Sequence, residues 1–385
     1  MTRRTRAHPL CQALLGSLAL TLMPALSQAQ SAYTVTVLKS PTSYLTEATA
    51  MDNTGKVVGY SFDRTLGIGG FDFPTLSTFW RGRALSWSTS TAASITGSKG
   101  ASYYSPVKTN EVGVTAGFST IALPTQNSDG FMQPATEKAG KVTKLSNQNA
   151  LQPGFNNITI GGINKLGVVA ASGRYYATDA APTPSYMSAV LITPGQTLAL
   201  EHPGHAVAYA HDINDQGTTV GSVIATGEAA RAAIWNNGKL SWVGQPYTEA
   251  RAVNNAGQVL VVRSTLGIVD YPVAPWPITG ADPKGAAALW LGGQSTPIGI
   301  DSQVVTATAM NASGTVVGCA SGRAFLWKNG VMLDLLTEVN SKGAKLPTST
   351  LLNCPVAIND TGSILLSYQT VPGAPKTWIR LNAKP

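Results

Sequence analysis

The chain has 385 residues, of which 43% are hydrophobic and 12% are charged, with 39 Gly and 23 Pro. The apolar fraction excludes an intrinsically disordered protein, and low charge with many turn-forming residues argues against a coiled coil or a helical array. The formal net charge is +8, but the basic residues form no cluster, so a nucleic-acid partner is not expected.

The first 29 residues have the features of a secretory signal peptide. Three Arg residues precede an apolar run over positions 10–26, and Ser27-Gln28-Ala29 places small residues at a signal peptidase site. The alternative is a membrane anchor, but the run is short and contains Pro24 near its end. We expect cleavage after Ala29, which leaves residues 30–385 with a net charge of +5, no spanning segment, and a periplasmic or extracellular location.

Residues 30–385 contain one short motif seven times. The motif is an apolar residue or Thr, then Asn or once Asp, two variable residues and Gly, followed by a β-branched run. Successive motifs lie about 51 residues apart. The Asn or Asp positions are Asp52, Asn110, Asn164, Asn214, Asn254, Asn311 and Asn359.

This motif predicts a β-hairpin. An Asn or Asp side chain can hydrogen-bond the backbone two residues further on, and the Gly suits a turn position with positive φ. The motif Asn residues are therefore predicted to be structural. A calcium loop over residues 212–217 is an alternative, but its carboxylates do not continue and no Glu follows at the required position.

A second motif, a small and an apolar residue before Trp and then a Gly turn, follows most hairpins. Its regular position predicts that the Trp side chains pack in the core between repeats rather than line a ligand site. The Trp residues assigned to it are Trp80, Trp235, Trp290, Trp327 and Trp378.

Each repeat therefore holds four predicted strands, A to D, and seven such repeats predict an all-β fold, a single seven-bladed β-propeller. Separate β-domains are the alternative, but no linker divides the chain. Repeat seven has strands at 355–358, 363–369 and 376–381 and no fourth strand, whereas Tyr33–Leu38 has no repeat of its own. We expect Tyr33–Leu38 to be strand D of the last blade and to close the ring.

The paired motifs resemble the HAF-type repeat of bacterial extracellular proteins, in which Ile-Asn-x-x-Gly-x-Val-Val-Gly is followed by Ala-Phe-x-Trp and Gly. Repeats four and six match best, and the resemblance covers residues 48–378. Repeats two and three lack the Trp, and Arg323 stands where repeat six would carry the family's His. The resemblance implies an exported protein with this repeat fold.

Loop lengths predict which face binds a partner. The A–B and C–D turns are tight and share one face, whereas long loops connect B to C and D to A at the other. Because binding residues often lie on loops held by a rigid scaffold, we expect the long-loop face to bind, with packing of these loops onto the ring as the alternative. The candidate ligand-binding residues are Asp63, Arg64, Arg174, Tyr175, Tyr176, His205, Asp270 and Trp276.

Histidine and cysteine are too sparse to settle a site. His202, His205 and His211 lie close in sequence and could bind zinc or copper, but solvated or structural roles are favoured, and no metal or cofactor is predicted. Cys319 and Cys354 are placed at similar heights in adjacent blades, so they are candidates for a disulfide, with two buried free thiols as the alternative.

The sequence favours a binding protein over an enzyme, because it contains no nucleophile elbow, zinc motif or phosphate loop. The first hypothesis is an exported, monomeric, non-catalytic propeller that binds a glycan, a peptide or an envelope component. The second is a glycan hydrolase or lyase with paired carboxylates of raised pKa, such as Asp63 and Asp270, at the long-loop end of the central channel. The third is a purely structural surface protein.

Overall fold

The computed structural model describes residues 33–40, 45–62, 83–95, 104–120, 132–145, 158–174, 187–203, 206–225, 227–264, 287–299, 305–341, 346 and 350–384. These residues form seven antiparallel sheets, arranged as blades in a ring. Six sheets have four strands, and in the seventh the first strand is divided into two short segments that both pair with the same neighbour. The fold is the predicted seven-bladed β-propeller.

The strands follow one another along the chain in blade order. In chain order they are β1 (Tyr33–Val37), β2 (Leu45–Met51), β3 (Val57–Phe62), β4 (Arg83–Trp87), β5 (Ala93–Ser94), β6 (Tyr104–Thr109), β7 (Thr115–Thr120), β8 (Met132–Lys138), β9 (Lys141–Lys144), β10 (Ile158–Ile163), β11 (Val169–Arg174), β12 (Met187–Thr193), β13 (Gln196–Ala199), β14 (Val207–Ile213), β15 (Thr219–Ile224), β16 (Arg231–Asn236), β17 (Lys239–Pro246), β18 (Thr248–Val253), β19 (Val259–Arg263), β20 (Ala287–Leu291), β21 (Gln294–Ile298), β22 (Val305–Met310), β23 (Val316–Ala320), β24 (Arg323–Lys328), β25 (Val331–Asp334), β26 (Leu351–Leu352), β27 (Ala357–Ile358), β28 (Ile364–Gln369) and β29 (Thr377–Ala383). Strands β2–β5 form blade 1, and each later group of four forms the next blade, up to β22–β25 in blade 6.

The first strand closes the ring, as predicted. Strand β1 pairs antiparallel with β29 from Tyr33 opposite Ala383 to Val37 opposite Ile379, so it is strand D of blade 7. Strand β27 of the same blade contacts β2 of blade 1. Blade 7 is therefore assembled from both ends of the described chain.

The A–B turns have the predicted hairpin geometry. In blade 2 the Asn110 side-chain oxygen accepts hydrogen bonds from the backbone N–H of Val112 and Val114, at 3.2 and 2.8 Å. Gly113 has φ of +75°, a value that costs a residue with a side chain considerably more. The same arrangement recurs in blades 1 and 3 to 6. In blade 7 the Asn359 oxygen accepts from the Thr361 hydroxyl and the Ser363 N–H.

Strand A carries a β-bulge in blades 1 to 6, which the repeat pattern did not predict. The register shifts three residues before the motif Asn or Asp, for example between Ala307 and Ala309 in blade 6. The facing glycine of strand B accommodates this bulge, since a Cβ on Gly318 would lie 2.2 Å from the Thr306 carbonyl oxygen. Close backbone approach therefore explains the last glycine of the Val-Val-Gly sequence in this blade.

The predicted Trp pattern is right in three blades and wrong in two. Trp235, Trp290 and Trp327 pair with the second residue after the turn glycine. In blade 1 this position is Trp87, opposite Val57, and not Trp80, which lies outside the described residues. In blade 7 Leu381 occupies it, because Trp378 lies three residues earlier and pairs with Ser367.

The Trp side chains join neighbouring blades, as predicted for core residues. Trp327 packs in a cluster that includes Leu260 of blade 5 and Val316 of blade 6. The indole N–H of Trp87 donates to the carbonyl oxygen of Lys39, in the segment that enters blade 1, at 3.0 Å. Apolar burial holds Trp327 between blades 5 and 6. In blades 1 and 4 the buried Trp adds one hydrogen bond to the segment that enters its blade.

Two further features connect blades 6 and 7. A short helix, α1 (Leu335–Ser341), follows blade 6, although no helix was predicted. It buries Leu335 and Val339 in an apolar cluster with residues of blades 6 and 7. Cys319 of β23 and Cys354, between β26 and β27, form a disulfide with a Cα–Cα distance of 5.2 Å. No helix in the described part of the chain is long and apolar enough to cross a membrane.

Candidate functional site

The residues expected at the long-loop face fall almost entirely outside the described residues. This applies to Asp63, Arg64, Tyr175, Tyr176, His205, Asp270 and Trp276. Arg174 ends β11, and only its backbone is described. The described residues beside the channel lie at its other end, where the seven A–B turns meet.

The seven turns surround a cavity of about 200 Å³ at the centre of the ring, which we call the mouth. Every blade contributes, because each strand A ends at its motif Asn or Asp beside the channel. The lining residues of the seven turns are 51–53, 109–111, 163–165, 213–215, 253–255, 310–312, 358 and 360.

An inner ring of side-chain amides runs around the mouth. Each motif Asn donates from its Nδ2 to the backbone carbonyl oxygen of the motif residue in the next blade, at 2.8–3.3 Å. The donors in ring order are Asn110, Asn164, Asn214, Asn254, Asn311 and Asn359, whose acceptor is the carbonyl of Asp52. The motif Asn thus caps its own turn with its oxygen and joins its blade to the next with its nitrogen.

Replacement of one ring member is expected to be costly. Asn164→Ala removes two hydrogen bonds to its own turn, from Leu166 and Val168, and the bond to Asn214. Because Asn164 is buried, the two N–H groups and the carbonyl group that it bonds would be left without a partner and without access to water. We therefore expect the free energy of unfolding to fall by about 3 kcal/mol. Urea denaturation measures it. Leu166→Ala, in the same turn but 73% exposed, should cost less than about 0.5 kcal/mol, and equal losses in the two variants would contradict this role.

A second, outer ring is formed by the residues that follow the motif Asn or Asp. The Asp215 carboxylate accepts from the backbone N–H of Lys165 at 2.9 Å, and the Asn255 side chain accepts from the N–H of Asp215 at 2.9 Å. Across the closing junction, Asp360 and Asn53 make the equivalent contact. These side chains cap backbone groups of the preceding blade and form the rim of the mouth.

The mouth is acidic although the chain is basic. Its charged lining residues are Asp52, Glu111, Asp215 and Asp360 against Lys165. Partial burial alone would raise the pKa of Asp215, but hydrogen bonds from the Lys165 backbone and the Asn255 side chain lower it below its usual value. A cleft lined mainly by one sign of charge focuses the field and attracts the opposite sign, so this mouth favours positively charged groups.

Below the mouth, His211 and Asp212 of β14 link blades 4 and 5. The His211 Nδ1–H donates to the Ala250 carbonyl oxygen at 3.1 Å, and Asp212 accepts from the backbone N–H of Ile213 and of Val253 at 2.9 and 3.0 Å. Burial raises the pKa of Asp212 to about 6. Both Asp212 oxygens are used by backbone donors, so this carboxyl serves the fold and is not placed to act on a ligand.

His211 is expected to make the fold sensitive to acid. Burial, followed by the positive charge of Arg251, lowers its pKa from 6.5 to about 4. The unfolded chain therefore binds the proton more readily, and stability is lost as the pH falls below 6.5. Between pH 7 and pH 5 the free energy of unfolding of His211→Gln should improve by about 2 kcal/mol relative to that of the unsubstituted protein.

Urea denaturation at pH 5, 6, 7 and 8 tests this expectation. The difference between the two proteins should change by no more than about 0.2 kcal/mol from pH 7 to pH 8, because the histidine is mostly neutral in both states there. A difference that stays as nearly constant down to pH 5 would contradict the role of His211.

The histidines do not come together as metal ligands in the described residues. The ring of His202 contacts the Ser188 hydroxyl and the Pro203 carbonyl oxygen, whereas His211 bonds the Ala250 carbonyl. Within the described ranges no group of three or more His, Cys, Asp or Glu is arranged to hold a metal ion.

A larger cavity of about 450 Å³ lies between blades 5 and 6. Its aromatic lining, Phe325 and Trp327, is only 2% and 4% exposed, because both side chains belong to the core between these blades. At its edge Arg323 pairs with Asp334 at 2.9 Å. This cleft offers a ligand little aromatic surface, and the mouth is the stronger candidate site.

Sequence reasoning placed the mouth residues in structural turns and did not combine them into a site. The signal was present in the position after each motif Asn or Asp, where Glu111, Asp215 and Asp360 recur around the ring. In a propeller these positions must converge at the centre, although they lie tens of residues apart in the chain.

No protein-family model matches this sequence, and no curated protein matches it. Among solved structures, the β-propeller domain of the trilobed protease from Pyrococcus furiosus is similar with a TM-score of 0.54 at 8% identity, covering 89% of this chain and 96% of that one. The acylaminoacyl peptidase of Pyrococcus horikoshii has a TM-score of 0.51 at 12% identity, and the match covers 89% of this chain and 52% of that one. At these identities the similarity shows the propeller fold alone, and this chain corresponds to about half of the peptidase.

Proposed function

We propose that this protein is an exported, non-catalytic propeller that binds a polypeptide partner through the acidic mouth. The observation that carries the proposal is the rigid ring of seven turns, which presents four carboxylates and one ammonium group around a preformed cavity. A neutral glycan gains little from such a field, whereas a peptide that carries Lys or Arg gains charge-assisted hydrogen bonds.

The state of the carboxylates supports binding rather than catalysis. A hydrolase needs one carboxylic acid of raised pKa that can reach the substrate. Asp212 has a raised pKa, but both of its oxygens are occupied. Burial raises the pKa of Glu249 against the opposing charge of Arg251, to which it is paired. The pair Asp63 and Asp270 that the enzyme hypothesis named lies outside the described residues.

Export is supported by the signal-like first 29 residues and by the disulfide between Cys319 and Cys354, a bond typical of oxidising compartments. The resemblance of the repeats to the HAF type agrees with this location.

Purified residues 30–385 should be tested on peptide and glycan arrays, with product release followed in parallel. We expect saturable, salt-sensitive binding of basic peptides without cleavage, and at least a tenfold loss in the double variant Glu111→Lys, Asp360→Lys. Tyr175→Ala and Trp276→Ala probe the long-loop face that the sequence predicts. If these two variants abolish binding and the mouth variant does not, the long loops bind the partner; cleavage of any array member would replace the proposal with the enzyme hypothesis.

A further inference from the structure

The inner ring of the mouth is interrupted at one place, the junction between blades 1 and 2, and the outer ring is open there too. Here the motif residue is Asp52, the one carboxylate among the seven motif positions. A carboxylate has no hydrogen to donate. The side-chain hydrogen bond that joins each of the other six pairs of neighbouring blades is therefore missing between Asp52 and the carbonyl oxygen of Asn110.

Asp52 is nevertheless buried and directed at blade 2. It is 4% exposed, and its Oδ1 accepts from the Thr54 N–H, the Thr54 hydroxyl and the Lys56 N–H, at 2.9, 2.6 and 2.9 Å. Its Oδ2 lies 3.6 Å from where a Cβ on Gly113 would stand, so it faces the turn of the next blade. No described residue donates a hydrogen bond to this Oδ2.

The outer ring is open at the same junction. At four junctions the rim side chain of one blade caps the backbone N–H of the previous blade, as Asn53 does for Asp360. Lys165 and Ala312 carry no side-chain acceptor, so the outer ring is also open between blades 2 and 3 and between blades 5 and 6. Glu111 stands where it could cap Asn53, yet it is exposed and makes no hydrogen bond with a described residue.

The junction thus presents three acceptor groups that receive no hydrogen bond from a described residue of the facing blade: the Asp52 Oδ2, the Asn110 carbonyl oxygen and the Glu111 carboxylate. Of these, the Asn110 oxygen accepts only the Gly113 N–H of its own turn among the described residues, at 3.2 Å.

Among the described residues, the neighbouring cations do not fill this gap. The guanidinium of Arg380 contributes positive charge to Asp52, but it donates to the carbonyl oxygens of Gly55 and Ser88 and to the Asn382 side chain. Lys165, across blade 3, is paired with Asp215 at 3.3 Å. The Asp52 residue is almost wholly buried while its Oδ2 receives no hydrogen bond from a described residue, so a donor placed there would stabilise the carboxylate.

We infer that the junction between blades 1 and 2 binds a primary ammonium group of the partner, either a lysine side chain or a polypeptide N-terminus. An –NH₃⁺ group has three donors and no acceptor, which matches the three acceptor groups. Its positive charge matches Asp52 and Glu111. The inference deepens the proposed function, because it names the chemical group of the partner that the mouth recognises.

The decisive variant is Asp52→Asn, which restores the residue found at the other six motif positions. Its amide should donate to Asn110 and complete the inner ring, so the melting temperature should rise while ammonium binding is lost. The probes are acetyl-Gly-Gly-Lys-Gly-Gly-amide, its Nε-acetyl-lysine counterpart, and Gly-Gly-Gly-amide with a free N-terminus, each titrated by calorimetry into residues 30–385. Glu228→Gln, an exposed carboxylate between β15 and β16 at the opposite face, is the control of equal charge change.

We expect the lysine peptide or the free N-terminus to bind, the acetylated counterpart not to bind, and Kd to rise at least tenfold in Asp52→Asn but less than twofold in Glu228→Gln. The two unblocked probes separate the lysine source from the N-terminal source. Binding that is equal in Asp52→Asn, or no binding of either probe, overturns the inference. Stabilisation by calcium or potassium chloride without peptide binding also overturns it in favour of a metal ion. If array peptides still bind and depend on Glu111 and Asp360, the proposed function survives the failure of this site.

Discussion

A protein that begins at residue 40 is expected to unfold with a free energy at least about 5 kcal/mol lower than that of residues 30–385. The deletion removes β1, which forms a five-residue ladder with β29. It also removes Tyr33 and Leu38, which are 8% and 5% exposed. Each large core side chain is worth about 2–5 kcal/mol, and the lost ladder leaves β29 as an open edge.

Urea denaturation followed by far-UV circular dichroism measures the effect of this deletion. A synthetic peptide of residues 30–39 added in trans should recover part of the loss, because the open edge of β29 remains a template for the strand. The control is a protein that lacks residues 384 and 385 instead, because Lys384 follows β29 and is exposed. An unchanged midpoint for the protein that starts at residue 40 would show that closure through β1 contributes little.

The architecture was predictable because its signals are local and repeated. The Asn-x-x-Gly hairpin needs only a side-chain cap and one residue at positive φ, as at Asn110 and Gly113, so each copy can be recognised without knowledge of the others. The predicted strand at residues 33–38 had no repeat of its own, and repeat seven had no strand D. Assigning the first to the second satisfied both observations. Seven weak local signals become strong when they recur at a nearly constant spacing.

The Trp position was harder to assign because it depends on register across a sheet. Trp80 and Trp87 both stand among small or apolar residues, and the choice between them follows only from the pairing of Trp87 with Val57. In blade 7, Trp378 satisfies the sequence pattern but donates its indole N–H to the Thr46 carbonyl oxygen of blade 1 at 2.8 Å. One residue of register decides which face of a strand a side chain occupies, and a motif with a variable spacer does not specify it.

The mouth could be reached from the sequence only by using the ring geometry. Loop length predicted binding at the opposite, long-loop face. In this fold, however, the short A–B turns line the central cavity. The sequence shows that Asp52 is the exception among the seven motifs. Its effect is the loss of a hydrogen bond to Asn110, which lies fifty-eight residues further along the chain. Such a contact becomes visible when the neighbouring blades are placed side by side.

Trp235→Ala is expected to lower the free energy of unfolding by about 4 kcal/mol. The Trp235 side chain is fully buried between blades 3 and 4, among Leu200, Val223 and Ala233. Its indole N–H donates to the Glu201 carbonyl oxygen at 2.6 Å. The substitution leaves a large cavity and an unpaired carbonyl at the point where the chain enters blade 4, and denaturant unfolding measures the loss.

The same blade supplies a matched control. Trp242 on β17 is 39% exposed and lies under the Arg231 guanidinium at 4.9 Å from the ring centre, so Trp242→Ala should cost no more than about 1 kcal/mol. Trp235→Phe keeps most of the apolar volume but loses the N–H, and it should fall between the two, at about 1–2 kcal/mol. Equal effects at Trp235 and Trp242 would mean that the repeated Trp does not hold the blades together, whereas the expected order assigns most of its contribution to packing and a smaller part to the hydrogen bond.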